Sequence, residues 1–177
     1  FTFMKMEGKN NIPKSTEALQ NAFSNCEKSG RFKKVEQQSF SDYLERAQKD
    51  LASAERDFGA KDYHWARVKA YQSLFHILNA LLIKKLSYYS KDHGCIIIAL
   101  MKDEIISEDA AKELHLLVDN VLKQATSKEV YKDINEFRIQ RNFALYKPKS
   151  WENVKEEDVR AELDKIKNNF KILVSLL

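Results

Sequence analysis

The chain has 177 residues, 44% hydrophobic and 32% charged, which is enough for one domain with a real core and ordinary for a globular protein. Four glycines and two prolines, Pro13 and Pro148, are too few to turn a many-stranded sheet at each reversal, so helices are expected. A formal charge of +4 excludes a densely basic nucleic-acid binder and leaves only a weak lean toward anionic partners.

Residues 1–40 are polar and irregular, with one short helical candidate at about Thr16 to Lys28, and are read as an N-terminal extension. This segment either docks on the rest through Leu19 and Phe23 or stays partly mobile. From residue 41 onward the pattern is that of a helical bundle. Leu44, Ala47, Leu51, Ala54 and Phe58 recur every three or four residues, after a capping Ser41 and with Asp42 in the first turn, and predict an amphipathic helix ending at Gly59. The next helix, about Asp62 to Tyr88, is apolar nearly all round in its second half, which marks a central helix. Ser90 to Gly94 breaks the pattern. Cys95 to Met101 has three consecutive isoleucines but is read as a short buried helix, because no partner strand is evident.

Ser107 caps a further helix, with Glu108 and Asp109 in its first turn and Ala110, Leu114, Leu117 and Val121 on one face. Ser127 caps another, with Val130, Ile134 and Phe137 inward, which stops near Tyr146 because the residue before Pro148 disfavours helix. Glu156 to Asp158 open the last helix, and Val159, Leu163, Ile166, Phe170, Leu173 and Leu177 give it a regular seam. The expected fold is all-α, an up-and-down bundle of four to five main helices over 41–177.

The longest apolar run is too short to span a bilayer, and no basic-then-apolar signal segment opens the chain. Cys26 and Cys95 lie far apart without metal-like spacing, and a chain of this size needs no staple. Two reduced thiols in a cytoplasmic protein are therefore expected.

Among the chemistry-bearing residues Arg141 stands out, since the spacing Val130, Ile134, Phe137 places it at the next inward position. A guanidinium there needs a carboxylate, several acceptors, or a polar cleft, because an unpaired buried cation is costly. Arg138 and Asn142 flank it. Of the four histidines, His64 and His115 read as surface residues and His76 as a satisfied core histidine. His93 lies in a turn and either closes a helix cap or points into the cleft. No pair of histidines has metal-site spacing, and neither a metal nor a cofactor is expected. Tyr63, Trp65, Tyr71, Tyr88 and Tyr89 could stack on bases, but their helical spacing favours core or dimer contact. Lys33-Lys34 and Lys84-Lys85 read as solvated faces. The absence of a Gly-rich phosphate loop sets ATP hydrolysis aside.

The segment Arg141-Asn142-Phe143-Ala144-Leu145-Tyr146, preceded by the Ala70-Tyr71 pair on the central helix and the Lys91-Asp92-His93-Gly94 turn, resembles the HEPN superfamily (higher eukaryotes and prokaryotes nucleotide-binding). The likeness is to small prokaryotic members of the Arg-x-x-Ala-x-Tyr type and runs from about Ser41 to Leu177. It implies a bundle that forms a homodimer, with the arginines of both subunits lining one cleft that binds a nucleotide or RNA, and a nucleotidyltransferase partner in a toxin-antitoxin type system. RNase members pair the arginine with a histidine a few residues later; here no histidine follows. Tyr146 is a poor base at neutral pH, and Pro148 occupies the place of the tyrosine that a partner would modify.

The resulting expectation is a binding protein rather than an enzyme, using Arg138, Arg141, Asn142 and Tyr146. Two alternatives stand beside it: a metal-independent toxin RNase using Arg141 with Tyr146 or His93, and a non-catalytic protein-interaction module.

Overall fold

The computed structural model describes residues 12–125 and 154–177. Within them the chain forms six α-helices: α1 (Thr16–Lys28), α2 (Phe40–Gly59), α3 (Tyr63–Leu86), α4 (His93–Lys102), α5 (Glu108–Ala125) and α6 (Glu156–Ser175). The expected helix from Ser127 to about Tyr146 lies outside the described residues.

Helix α3 is the axis of the bundle. Ala70, Leu74, Ile77, Leu78, Leu81 and Leu82 are buried on several of its faces, because α2 packs along one side and α6 along another, while α4 and α5 close on it from the remainder. A helix covered in this way has no polar stripe to show, which is the sequence pattern it carries. Helices α2 and α6 are amphipathic partners. Helix α6 buries Val159, Leu163, Ile166, Phe170 and Leu173, the predicted seam, with Leu177 half-buried beyond it. The start of α6 is tied to the start of α3 by the Tyr63 hydroxyl, which donates to Glu156 at 2.6 Å.

Helix α2 begins two residues earlier than a Ser41 cap implies, after a 3-10 turn at Gln37–Ser39. Ser41 therefore does not cap it: the residue sits inside the first turn, and its hydroxyl donates to the carbonyl of Gln38 at 3.0 Å. Helix α2 also buries Asp50 between Ala47 and Ala54, which the apolar pattern does not foretell.

Helix α4 forms where the isoleucine run could have been strand. Asp92 is its N-cap, accepting from the Cys95 N–H at 3.1 Å, and Ile96, Ile97 and Leu100 are buried. Ser107 caps α5 as predicted, through the Ala110 N–H at 3.2 Å. The buried face of α5 runs through Ala111, Leu114, Leu117 and Val118, with Ala110 at its margin.

The described part of the N-terminal segment, from residue 12, docks. Ser15 caps α1, Phe23 is buried, and its ring stacks on Phe32 at 5.2 Å, which in turn meets Tyr88 at 5.4 Å. Phe32 opens strand β1 (Phe32–Lys34), which pairs antiparallel with β2 (Tyr88–Ser90) in the register Phe32↔Ser90, Lys33↔Tyr89 and Lys34↔Tyr88. These three-residue strands are too short to register as alternating patterns, and they correct the expectation that the chain has no strand pair. Ser87, in the left-handed region at φ 57°, turns the chain out of α3, and Asn79, buried in mid-helix, accepts the Ser90 N–H at 3.0 Å to hold β2 down.

Cys26 and Cys95 are joined in a disulfide, which overturns the expectation of two reduced thiols. Docking of α1 against α4 brings their Cα atoms to 5.8 Å, a separation that a bridge requires and that a sequence separation of 69 residues conceals.

Candidate functional site

Two of the motif positions singled out in the sequence meet in space. Tyr71, on the third turn of α3, directs its hydroxyl at the ring of His93, the first residue of α4, and their bond is to Nε2. The two rings lie 5.1 Å apart, and Phe75, one turn further along α3, faces the same imidazole at 4.9 Å. His93 is buried in this apolar setting, and desolvation pushes its pKa down to about 3, so the imidazole is neutral at pH 7. The Tyr71 phenol is pushed up, first by desolvation and then by the Asp92 carboxylate, and keeps its proton. The phenol and the imidazole are therefore both neutral and joined by a hydrogen bond, and the pair stores no charge at physiological pH. A histidine held in this way orients α4 against α3 and is a weak proton acceptor.

Among the described residues there is a buried arginine that the sequence reading did not single out. Arg67, in the second turn of α3, is only 6% exposed and forks onto Glu162 of α6, Nε to Oε2 at 2.7 Å and Nη2 to Oε1 at 3.3 Å. The planar guanidinium matches the carboxylate at both oxygens, so the charge is met inside the subunit. Two turns further along α6, Asn169 donates to Glu113 of α5 at 3.0 Å.

A family model described as the HEPN domain matches residues 40–172. The chain belongs to the HEPN family. Among solved structures this HEPN domain is similar to the crystal structure of TT1696 from Thermus thermophilus, at 19% identity and a TM-score of 0.57, over 78% of this chain and 98% of that one. At such identity the likeness speaks for the fold alone. No curated protein matches.

Of the site residues expected in this HEPN domain, Arg138, Arg141, Asn142 and Tyr146 lie outside the described residues. His93 is the one that is placed, and it closes against Tyr71. His64 corrects a surface assignment: it is 8% exposed in the first turn of α3, edge-on to Trp65 at 5.9 Å, because charged neighbours in sequence do not decide which way a turn of a central helix faces. His115 is half-buried rather than at the surface. His76, expected in the core, is half-buried and bonds to Asp50 through Nδ1. The expected aromatic cluster of Tyr63, Trp65, Tyr71, Tyr88 and Tyr89 is half-buried throughout. Lys33, Lys34 and Lys85 are exposed, whereas Lys84 lies over the ring of Phe40 at 4.2 Å.

Among the described residues no three His, Cys, Asp or Glu side chains are grouped to hold a metal. No helix among them is long and apolar enough to cross a membrane. The Arg67–Glu162 pair and the buried Asp50 are what sequence reading missed. Arg67 precedes the buried Ala70, Leu74 and Ile77 at helical spacing, the same signal that drew notice to Arg141.

Proposed function

We propose that the chain is a nucleotide- or RNA-binding HEPN domain that engages its ligand through Arg141, with Arg138, Asn142 and Tyr146 as supporting contacts, in a cleft shared by two copies. The observation that carries this reading is the family match, which spans 40–172 and takes in the Arg141-to-Tyr146 segment. Arg141, which the sequence spacing assigns to an inward position, and Arg138 three residues before it would offer a doubly cationic grip suited to phosphate.

The reading includes a nucleotidyltransferase-type partner, a toxin-antitoxin type system and a cytoplasmic site of action, where nucleotides and RNA are found. In a reducing cytoplasm the Cys26–Cys95 bridge would exchange with its dithiol form. The chain is proposed not to be a complete nuclease. His93 supports that part: buried, neutral and engaged by Tyr71, it is poorly suited to take a proton from a ribose hydroxyl.

The test is binding of nucleotides and short RNAs, read by thermal shift and by fluorescence anisotropy, in the wild type and in Arg141→Ala. A ligand that binds only the folded chain raises the midpoint. The expected result is a raised midpoint in the wild type and at least about a tenfold loss of affinity in the variant, with folding intact. A flat screen, together with a variant that loses several degrees of stability, would leave only a protein-interaction scaffold. Metal-independent RNA cleavage abolished in Arg141→Ala and in Tyr146→Phe would replace the binding reading with the RNase one.

A further inference from the structure

On α2 and α3, away from the Tyr71–His93 pair, a second constellation is left open to solvent. Its anchor is Asp50, 2% exposed, whose Oδ2 accepts from Nδ1 of His76 at 2.9 Å and from Nε of Arg46 at 3.2 Å. A buried carboxylate needs such donors, and here it determines the tautomer of the imidazole it faces. With the proton on Nδ1, the lone pair of His76 is on Nε2.

Among the described residues that nitrogen makes no hydrogen bond, and the His76 side chain is 22% exposed. Tyr43 and Tyr89 are half-buried, and their hydroxyls likewise make no hydrogen bond among the described residues. The Tyr43 ring stands 6.3 Å from His76 and 5.5 Å from Tyr89. Arg46, with a side chain 56% exposed, commits Nε to Asp50 and leaves its terminal nitrogens outward. Desolvation, the largest influence on His76, outweighs the pull of Asp50 and lowers its pKa, so the imidazole is a neutral acceptor at pH 7. Tying α2 to α3 needs the Asp50 bonds alone. It does not need an outward Nε2, two unengaged phenols and a guanidinium on one face.

We propose that Tyr43, Arg46, His76 and Tyr89 form a binding site for a nucleoside monophosphate, distinct from the Arg141 site. The tyrosine rings offer a surface on which a base can stack, a contact that any base can make. Nε2 of His76 accepts from a ribose hydroxyl, and the terminal nitrogens of Arg46 take the phosphate. Asp50 is the positioning residue, because it holds both His76 and Arg46 without reaching the ligand.

Titration of the full chain with AMP, with inorganic phosphate as the control, tests this by calorimetry and by the imidazole 15N resonances of His76. AMP should bind, move the Nε2 resonance of His76, and bind at least about tenfold more weakly in Tyr89→Leu and in Arg46→Gln. Arg46 is exposed, so its variant keeps the assay meaningful if Tyr89→Leu is poorly folded. Arg141→Ala should leave the Nε2 response to AMP unchanged. Phosphate binding as tight as AMP, or AMP binding indifferent to both substitutions, would overturn the site. Loss of AMP binding in Arg141→Ala alone would overturn it while upholding the proposed function, and no AMP binding in any form would overturn this site while leaving the Arg141 reading to its own test with RNA.

Discussion

Protonating His93 would set a cation between Tyr71 and Phe75 and at the positive end of α4, a buried setting that disfavours charge. In the unfolded chain the same imidazole takes its proton near pH 6.5, whereas in the folded chain it does so only near 3. Between these values the unfolded state binds more protons, so stability falls as the pH falls, by up to about 1.4 kcal/mol per pH unit. His76, also lowered, acts in the same direction. Urea melts from pH 7 to 4 should show a steady loss of midpoint, and His93→Asn should flatten that slope. An unchanged slope in the variant would contradict the burial. At the same scale, Arg67→Ala should cost about 3–5 kcal/mol because it strands the Glu162 carboxylate, whereas the double change Arg67→Met with Glu162→Leu should cost far less. A double-mutant cycle by chemical denaturation measures the difference.

Among the elements, α2, α3 and α6 were legible in the sequence, because each is long and its apolar residues repeat with the helical period. Helix α4 was legible once strand was set aside, and its cap, Asp92, explains why three isoleucines in a row coil rather than extend. What could not be read was everything that pairs across distance. Strands β1 and β2 are three residues each, Asp50 sits in a helix whose pattern passes it over, and the partners of Arg67 and Cys26 lie 95 and 69 residues away. Of the candidate site, only the meeting of His93 with Tyr71 has a place among the described residues, and the sequence signalled both positions without signalling that they touch. The disulfide has the largest consequence at this scale. Closing a loop of this length restricts the unfolded chain, so Cys26→Ser or reduction should lower stability by ~4 kcal/mol. Guanidinium melts with and without dithiothreitol report it, and identical midpoints would mean that the bridge does not form in solution.

For the whole molecule, the HEPN assignment and the arrangement around α3 fix what can be expected of assembly. If the Arg141 cleft is shared by two copies, light scattering at micromolar concentration should give twice the mass of 20.7 kDa. A clean single-copy mass would rule out a shared cleft. The dimer should also persist on reduction, since both bridged cysteines belong to one subunit.

The same bridge makes the chain a covalent ring from residue 26 to residue 95, and α2 and α3 are strung entirely inside it. A protease that nicks the exposed stretch around Lys33 and Lys34 therefore liberates nothing: the two pieces remain one molecule and travel as one band on a denaturing gel until a thiol is added. The enclosed helices also cannot be threaded into a narrow unfolding pore as a single strand while the ring is shut.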